Sequence, residues 1–212
     1  MSVAKQPGSR LTARGAAMRA RIVKAAADLI YAKGVDRTSL DDVLAKSDAS
    51  KSQLYHYFAD KEALVLEVIA LQTERVLMAQ QPHLGALDSL VALRQWRDAI
   101  IDLAEGRHRT GGCPIGSLAN ELSNQFEDAR ALLAGSFETW RGCIESGLRK
   151  MQEHGELASS ADPRDLALAM LIALQGGLLL AKTTHTSRPL EVAFDMALEH
   201  VTRHVTEKQP QP

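Results

Sequence analysis

Ser50-Lys51-Ser52-Gln53-Leu54-Tyr55-His56-Tyr57-Phe58, SKSQLYHYF, is a short stretch in which only two residues are well suited to burial. Leu54 and Phe58 stand four apart, about one helical turn, so a helix would carry them on one face. Lys51, Gln53, Tyr55, His56 and Tyr57 fill the remaining faces with hydrogen-bonding tips. A helix built this way is held from one side and offers donors from the others. That is what a helix needs in order to lie in the DNA major groove while anchored to its own domain.

The flanking sequence supplies the rest of such a unit. From Ala13 to Lys33 the apolar positions Met18, Ile22, Ala26, Leu29 and Ile30 recur at helical spacing, and Gly34 follows where a left-handed residue would end the helix. Thr38-Ser39 precede Leu40, Val43 and Leu44, with Asp41 and Asp42 in the first turn, where carboxylates suit the exposed N–H groups of a helix start. This second helix ends near Lys46. After the break Ser47-Asp48-Ala49-Ser50, Ser50 caps a third helix that runs to Tyr57, and Asp60 caps a long fourth helix carrying Leu64, Val68 and Leu71. Two short helices joined by a tight turn and braced by longer ones predict a helix-turn-helix. In that setting Ser50, Lys51, Tyr55 and Tyr57 position the helix on phosphates, and Ser52, Gln53 and His56 face bases. Lys61 and the hydroxyls of Thr38 and Ser39 hold further phosphates. Gln53 is the sharpest reader, because its amide can pair with adenine N6 and N7 together.

The segment TSLDDVLAKSDASKSQLYHYFADKEAL resembles the DNA-binding region of the TetR (tetracycline-repressor) family. The match lies on Thr38-Ser39, Ser50-Lys51-Ser52-Gln53, Leu54-Tyr55-His56-Tyr57-Phe58 and Lys61-Glu62-Ala63-Leu64, and extends over roughly residues 14–66. It departs at Ser52-Gln53, where the family often has Gly-Thr or Gly-Ser. The resemblance implies an all-α chain of about nine helices, an N-terminal three-helix DNA-binding domain and a C-terminal ligand-binding and dimerisation domain. The expected divisions are a flexible tail at 1–12, the helix-turn-helix domain at 13–61, the C-terminal domain at 62–206 and a second tail at 207–212. Arg10 and Arg14 are expected to settle on phosphate.

Charge divides in the same sense. The 212 residues carry a formal net charge of -1, but the first 61 hold 11 Lys and Arg against 6 acids, and the remainder holds 14 against 20. One end suits a polyanion and the other does not.

Beyond Pro82 the apolar pattern stays helical, with no strand-like alternation. Leu87, Leu90, Leu93, Trp96, Ile100 and Leu103 mark a fifth helix. Arg109 to Pro114 makes a break before a sixth, from Ile115 to Asn124. A seventh spans Phe126 to His154 with the stripe Leu133, Phe137, Trp140, Ile144, Leu148 and Met151. Asp162-Pro163 opens an eighth and Arg188-Pro189 a ninth. Leu166 to Ala181 is apolar almost all round, as a helix covered both by its own domain and by a second subunit would be. With the ninth helix it predicts a homodimer through the last two helices, and a two-fold protein predicts a palindromic double-stranded operator. Ala167, Ala169, Ala173, Gly176 and Gly177 suit close helix approach.

The resemblance also implies a small-molecule effector held between the C-terminal helices. Trp96, Phe126, Phe137, Trp140, Met78, Met170, Leu174 and Gln175 lie on helices that would surround the pocket, although such stripes more often form plain core. Gly111-Gly112-Cys113-Pro114-Ile115-Gly116-Ser117-Leu118 is similar to a segment in one branch of the family, which includes regulators of multidrug efflux and of catabolism. Cys113, at a helix start, is an alternative sensor of electrophiles. Otherwise Cys113 and Cys143 read as small buried hydrophobes.

The expected protein is a cytoplasmic repressor released by a small apolar or aromatic molecule. It is expected to have no resident cofactor or metal, no membrane partner and no enzymatic activity. The segment Leu166 to Ala181 falls short of the roughly 20 residues of a membrane span. The histidines are scattered, and neither a phosphate-binding glycine loop nor a nucleophile elbow appears. A helical enzyme or binding protein without DNA affinity is the rival of a different class.

Overall fold

Local signals for helix starts and stops explain most of the architecture. The computed structural model describes residues 12–106 and 112–206. The expectations for the two terminal tails, for Arg10 and for the Arg109–Gly111 break lie outside the described residues, apart from Thr12 itself. Nine α-helices occur among those described: α1 Ala13–Lys33, α2 Leu40–Ser47, α3 Lys51–Tyr57, α4 Lys61–Met78, α5 Leu90–Gly106, α6 Pro114–Leu122, α7 Glu127–Glu153, α8 Pro163–Thr184 and α9 Arg188–Thr202. A 3₁₀ turn at His83–Gly85 was not anticipated, and α5 begins after Leu87, which is buried ahead of the helix. Chain segments 1–71 and 72–212 form two compact units, and the division falls within α4 rather than at its start.

In the first unit α1 supplies the largest apolar face, with Ile22, Val23, Ala26 and Ile30 buried. Its end is unusual. Gly34 has φ 86° and ψ 166°, outside the left-handed helical region expected there, while its N–H still closes on the Ile30 carbonyl. That backbone lets three side chains seal the carbonyls at the α1 terminus. The Thr38 hydroxyl donates to Gly34 (2.8 Å), Arg37 Nε to Lys33 (2.7 Å) and Lys61 Nζ to Val35 (2.7 Å). Between α2 and α3, Asp48 takes the left-handed conformation (φ 51°, ψ 40°), which a short, unbranched Asp side chain tolerates better than most.

The second unit is built around α8, which packs on α7 and α9, while α5 packs on α9 and α6 on α7. Trp96 of α5 meets Phe194 of α9 edge to face at 5.2 Å. Two glycines set close approaches. A Cβ on Gly147 of α7 would lie 2.2 Å from the Leu87 carbonyl oxygen, and one on Gly177 of α8 would lie 2.9 Å from the Leu190 Cα. Gly176, expected to serve the same end, meets nothing within 4 Å.

Helix α8 is longer than its apolar core segment suggested. At 22 residues, and with a mean hydropathy of 1.7 over its most apolar window, it is long and apolar enough to cross a membrane. Its residues are nevertheless sorted by face. Leu166, Met170, Leu171, Leu174 and Ala181 are buried, whereas Leu168, Ile172, Leu179 and Leu180 are exposed.

Candidate nucleic-acid interface and effector cavity

Helix α3 is anchored as its spacing predicts. Leu54 is 0% and Phe58 2% exposed, and Arg19 of α1 lies over the Phe58 ring, 5.3 Å from its centre, while also pairing with Glu67. Lys51, Ser52, Gln53, Tyr55 and His56 are exposed and Tyr57 is half-buried, its ring edge-on to His56 at 4.9 Å. The N-terminus is a reciprocal capping box. The Ser50 hydroxyl accepts from the Gln53 N–H (3.2 Å), and the Gln53 Oε1 accepts from the Ser50 N–H (2.9 Å). Gln53, expected to read bases, therefore also pins the start of its own helix. Its Nε2 has no hydrogen-bond partner among the described residues.

Other predicted contacts are already engaged within the unit. Thr38 is buried with its hydroxyl spent on Gly34, so it shapes the entry to α2 and does not present a hydroxyl to phosphate. The exposed Ser39 hydroxyl donates to Asp42 (2.7 Å) and caps the Asp42 N–H. Lys61 is half-buried on the Val35 carbonyl, a use that sequence spacing did not reveal because its partner lies 26 positions earlier. Lys33 pairs with Asp42 at 2.8 Å, and Arg21 donates to the Asp48 carbonyl at 3.0 Å. Lys33, together with the Ser39 N–H, holds the Asp42 carboxyl well below the usual carboxylate range. The positive balance of this end is thus partly spent internally. Arg14, Lys24, Lys46 and Lys51 are exposed and form no ion pair among the described residues.

Within the second unit, a half-open cavity encloses about 610 Å³ of non-atom space, its open mouth included. Val76, Ile100, Leu103, Leu174 and Leu178 give it apolar walls, and Gln80, Cys113, Trp140 and Lys182 bring polar atoms. Of the predicted pocket residues, Cys113, Trp140 and Leu174 line it. Trp96 is buried core, its Nε1 donating to Gln80 Oε1 at 3.1 Å; Met170 is likewise fully buried away from the walls. Phe126 caps α7, Phe137 is half-buried, and neither lines the cavity; Met78 is 64% exposed. Gln175 is off the walls, yet its amide oxygen lies 2.9 Å from where a Cβ on Gly116 would sit, beside Cys113. Gln80 and Lys182 were missed. Gln80, just past α4, and Lys182, on α8, are far apart in sequence and come together only at the cavity wall.

The family described as "Bacterial regulatory proteins, tetR family" matches residues 22–68, and "Tetracyclin repressor-like, C-terminal domain" matches residues 89–197. The chain is 32% identical over 174 residues to the transcriptional regulator AcuR of Cereibacter sphaeroides, covering 80% of this chain and 78% of that one. It is 33% identical over 182 residues to an uncharacterised helix-turn-helix regulator of Lactococcus lactis, covering 83% and 89%. Among solved structures, a TetR regulator from Chloroflexus aurantiacus superposes with a TM-score of 0.79 at 27% identity, over 92% of this chain and 98% of that one. The regulatory protein TetR from Rhodobacter sphaeroides gives 0.76 at 26%, over 89% and 99%. The chain belongs to the TetR family of helix-turn-helix transcriptional regulators.

Proposed function

We propose that this regulator is a cytoplasmic homodimeric repressor that grips a palindromic operator through α3 and lets go when a small molecule fills the α4–α8 cavity. The observation that carries the DNA half is the sorting on α3 and its cap: two buried anchors, Leu54 and the C-capping Phe58, and five exposed polar side chains across residues 51–58. Ser50, Lys51 and Tyr55 suit phosphate, while Ser52, Gln53 and His56 suit base edges. Ser39 and Tyr57 flank them. Thr38 and Lys61 act one step back, by fixing the α1–α2 corner.

The dimer reading rests on apolar side chains left in water. Ile172 and Leu179, seven apart on α8, are 62% and 63% exposed, and Met196 on α9 is 66% exposed. Gly176 lies between them with open space above it. Such a face suits a second copy of the same two helices, and it distinguishes α8 from a membrane span, which would need no packed side. Ligand response then requires that the effector bind the DNA-released state more tightly than the DNA-bound one. Helix α4, which starts at Lys61 and carries Val76 into the cavity wall, is the element we assign to that coupling.

Fluorescence anisotropy with a labelled palindromic duplex tests the reading. Affinity should fall steeply and linearly on a log–log plot against salt, and scrambled duplexes should bind at least tenfold more weakly. Equal affinity for all duplexes would remove the claim of sequence reading. A second reading is supported by Cys113, whose Sγ accepts from the Gly116 N–H (3.4 Å) at the start of α6 and lines the cavity. In it, alkylation of Cys113 releases the operator. Cys113→Ser would then abolish release by an alkylating reagent and leave release by reversible ligands intact.

A further inference from the structure

Two buried donors beside the cavity have nothing to bond. Trp140 Nε1 and Gln175 Nε2 are both sealed from solvent with no hydrogen-bond partner among the described residues. Buried N–H groups are nearly always satisfied, so a pair left open next to a cavity points to an acceptor that arrives from outside. Trp140 is 2% exposed and forms part of the cavity wall. By contrast, Gln80 on the same wall is fully used, its Nε2 on the Val76 carbonyl (2.8 Å) and its Oε1 on Trp96.

The segment Gly112-Cys113-Pro114-Ile115-Gly116 explains how these groups are placed. A Cβ on Gly116 would meet the Gln175 amide oxygen at 2.9 Å, and one on Gly112 would meet Lys182 Cδ at 2.9 Å. The two glycines thus clear room for two polar residues of α8 that stand seven apart, on one face. Lys182 lays its aliphatic stem on Gly112 and is itself exposed at the cavity. No Asp or Glu is among the described wall residues. The polar character of the site is therefore donor-rich and positive, against otherwise apolar walls. Water alone would find few partners on such walls.

We propose that the cavity takes a small carboxylate: an oxygen pair that accepts from Trp140 Nε1 and is drawn by the Lys182 ammonium, with the open Gln175 amide just behind the wall beside Gly116, and a short apolar body against Ile100, Leu103 and Leu178. The inference deepens the effector reading above and rests on it for its biological meaning, but binding itself is measurable without DNA.

The test is calorimetric titration of the purified full-length protein with straight-chain monocarboxylates from propanoate to hexanoate, each beside its primary amide and its alcohol. Carboxylates should bind at least about tenfold more tightly than the amide or alcohol of equal length. Trp140→Phe, which keeps the ring and removes the N–H, should weaken the carboxylate about tenfold and the alcohol by less than about twofold. Lys182→Gln should close the gap between carboxylate and amide. Should Trp140→Phe disturb the fold, Lys182→Gln decides alone, by loss of the carboxylate preference. In a Trp96→Phe background the remaining Trp140 emission should shift to the red on binding. Amides equal to carboxylates, unchanged affinity in both variants, or no binding by any member of the series would each overturn the proposal. Carboxylate binding that leaves the operator complex intact would support the site and sink the effector reading. Operator release by neutral apolar compounds without carboxylate preference would overturn the site and leave the regulator reading standing.

Discussion

Helices α3 and α8 both divide their residues between an inner and an outer face, but by opposite means. In α3 the division is written in chemistry. Leu54 is buried and its neighbours Gln53 and Tyr55 are exposed, as their types require. In α8 it is not. Leu171 is 5% exposed and Ile172 is 62% exposed, yet the two side chains are isomers. A surface that meets a polar partner contrasts with the core in composition, whereas a surface suited to an apolar partner does not, and only the packing of α7 and α9 reveals it.

The largest expected effect tests the anchoring side of that contrast. Phe58→Ala should cost the first unit about 3–5 kcal/mol, because it removes a buried ring and the surface under Arg19. Hydrogen exchange at the α1–α3 amides reads it, and a loss under about 1 kcal/mol would mean that Leu54 alone holds the helix. Next in size is Gly147→Ala. The added Cβ meets backbone, the Leu87 carbonyl oxygen at 2.2 Å, so a loss of about 1–3 kcal/mol is expected in denaturant unfolding of the second unit. Gly176→Ala is the control with the opposite sign. With nothing within 4 Å it should stabilise the isolated chain by up to about 1 kcal/mol through helix propensity. If α8 faces its copy there, the same change should loosen the dimer in a sedimentation experiment.

These cases show what could be read in the chain before its structure. Starts and stops were legible where they depend on neighbours. Ser39, Ser50, Asp60 and Asp162 each accept a nearby backbone N–H as expected, and Pro163 and Pro189 sit inside helix starts. What was not legible depends on partners far along the chain. Thr38 and Lys61 look like phosphate ligands in sequence, and both are turned onto the end of α1 by the φ 86°, ψ 166° backbone at Gly34. In the cavity, Trp140 and Cys113 could be named from pattern, but Gln80, Leu178 and Lys182 could not, since nothing in their helical periodicity marks one wall from another.

Gln53→Ala comes next, and it separates two roles that α3 merges. The capping box contributes on the order of 1 kcal/mol, so the unit should lose about that much without DNA. If Gln53 also reads a base, preference at one position per half-site should relax, with discrimination falling by about 1–3 kcal/mol. A selection profile matching the parent protein would leave Gln53 as a cap alone. Lys51→Ala should instead weaken all duplexes alike and reduce the salt slope by about one.

The smallest effect concerns Asp42, where sequence neighbours and a distant cation act together. Its Oδ2 accepts from the Ser39 N–H (2.9 Å), the Ser39 hydroxyl (2.7 Å) and Lys33 Nζ (2.8 Å). These partners, Lys33 foremost, hold its pKa well below the usual carboxylate range. The folded value is therefore lower than the unfolded one, near 3.9. The stabilisation is fully present above about pH 4 and is lost as pH falls from there toward the folded value. Because the Asp42 and Lys33 side chains are 40% and 35% exposed, water and salt screen the pair, and the effect should shrink at high ionic strength. Asp42→Asn keeps an amide oxygen for the Ser39 N–H and removes the charge. Its stability should run parallel to the parent's above about pH 5 and fall less steeply below about pH 4. Equal acid slopes for the two proteins would show that Lys33 does not hold the carboxylate in solution, leaving Asp42 with the purely local role of closing the α2 cap.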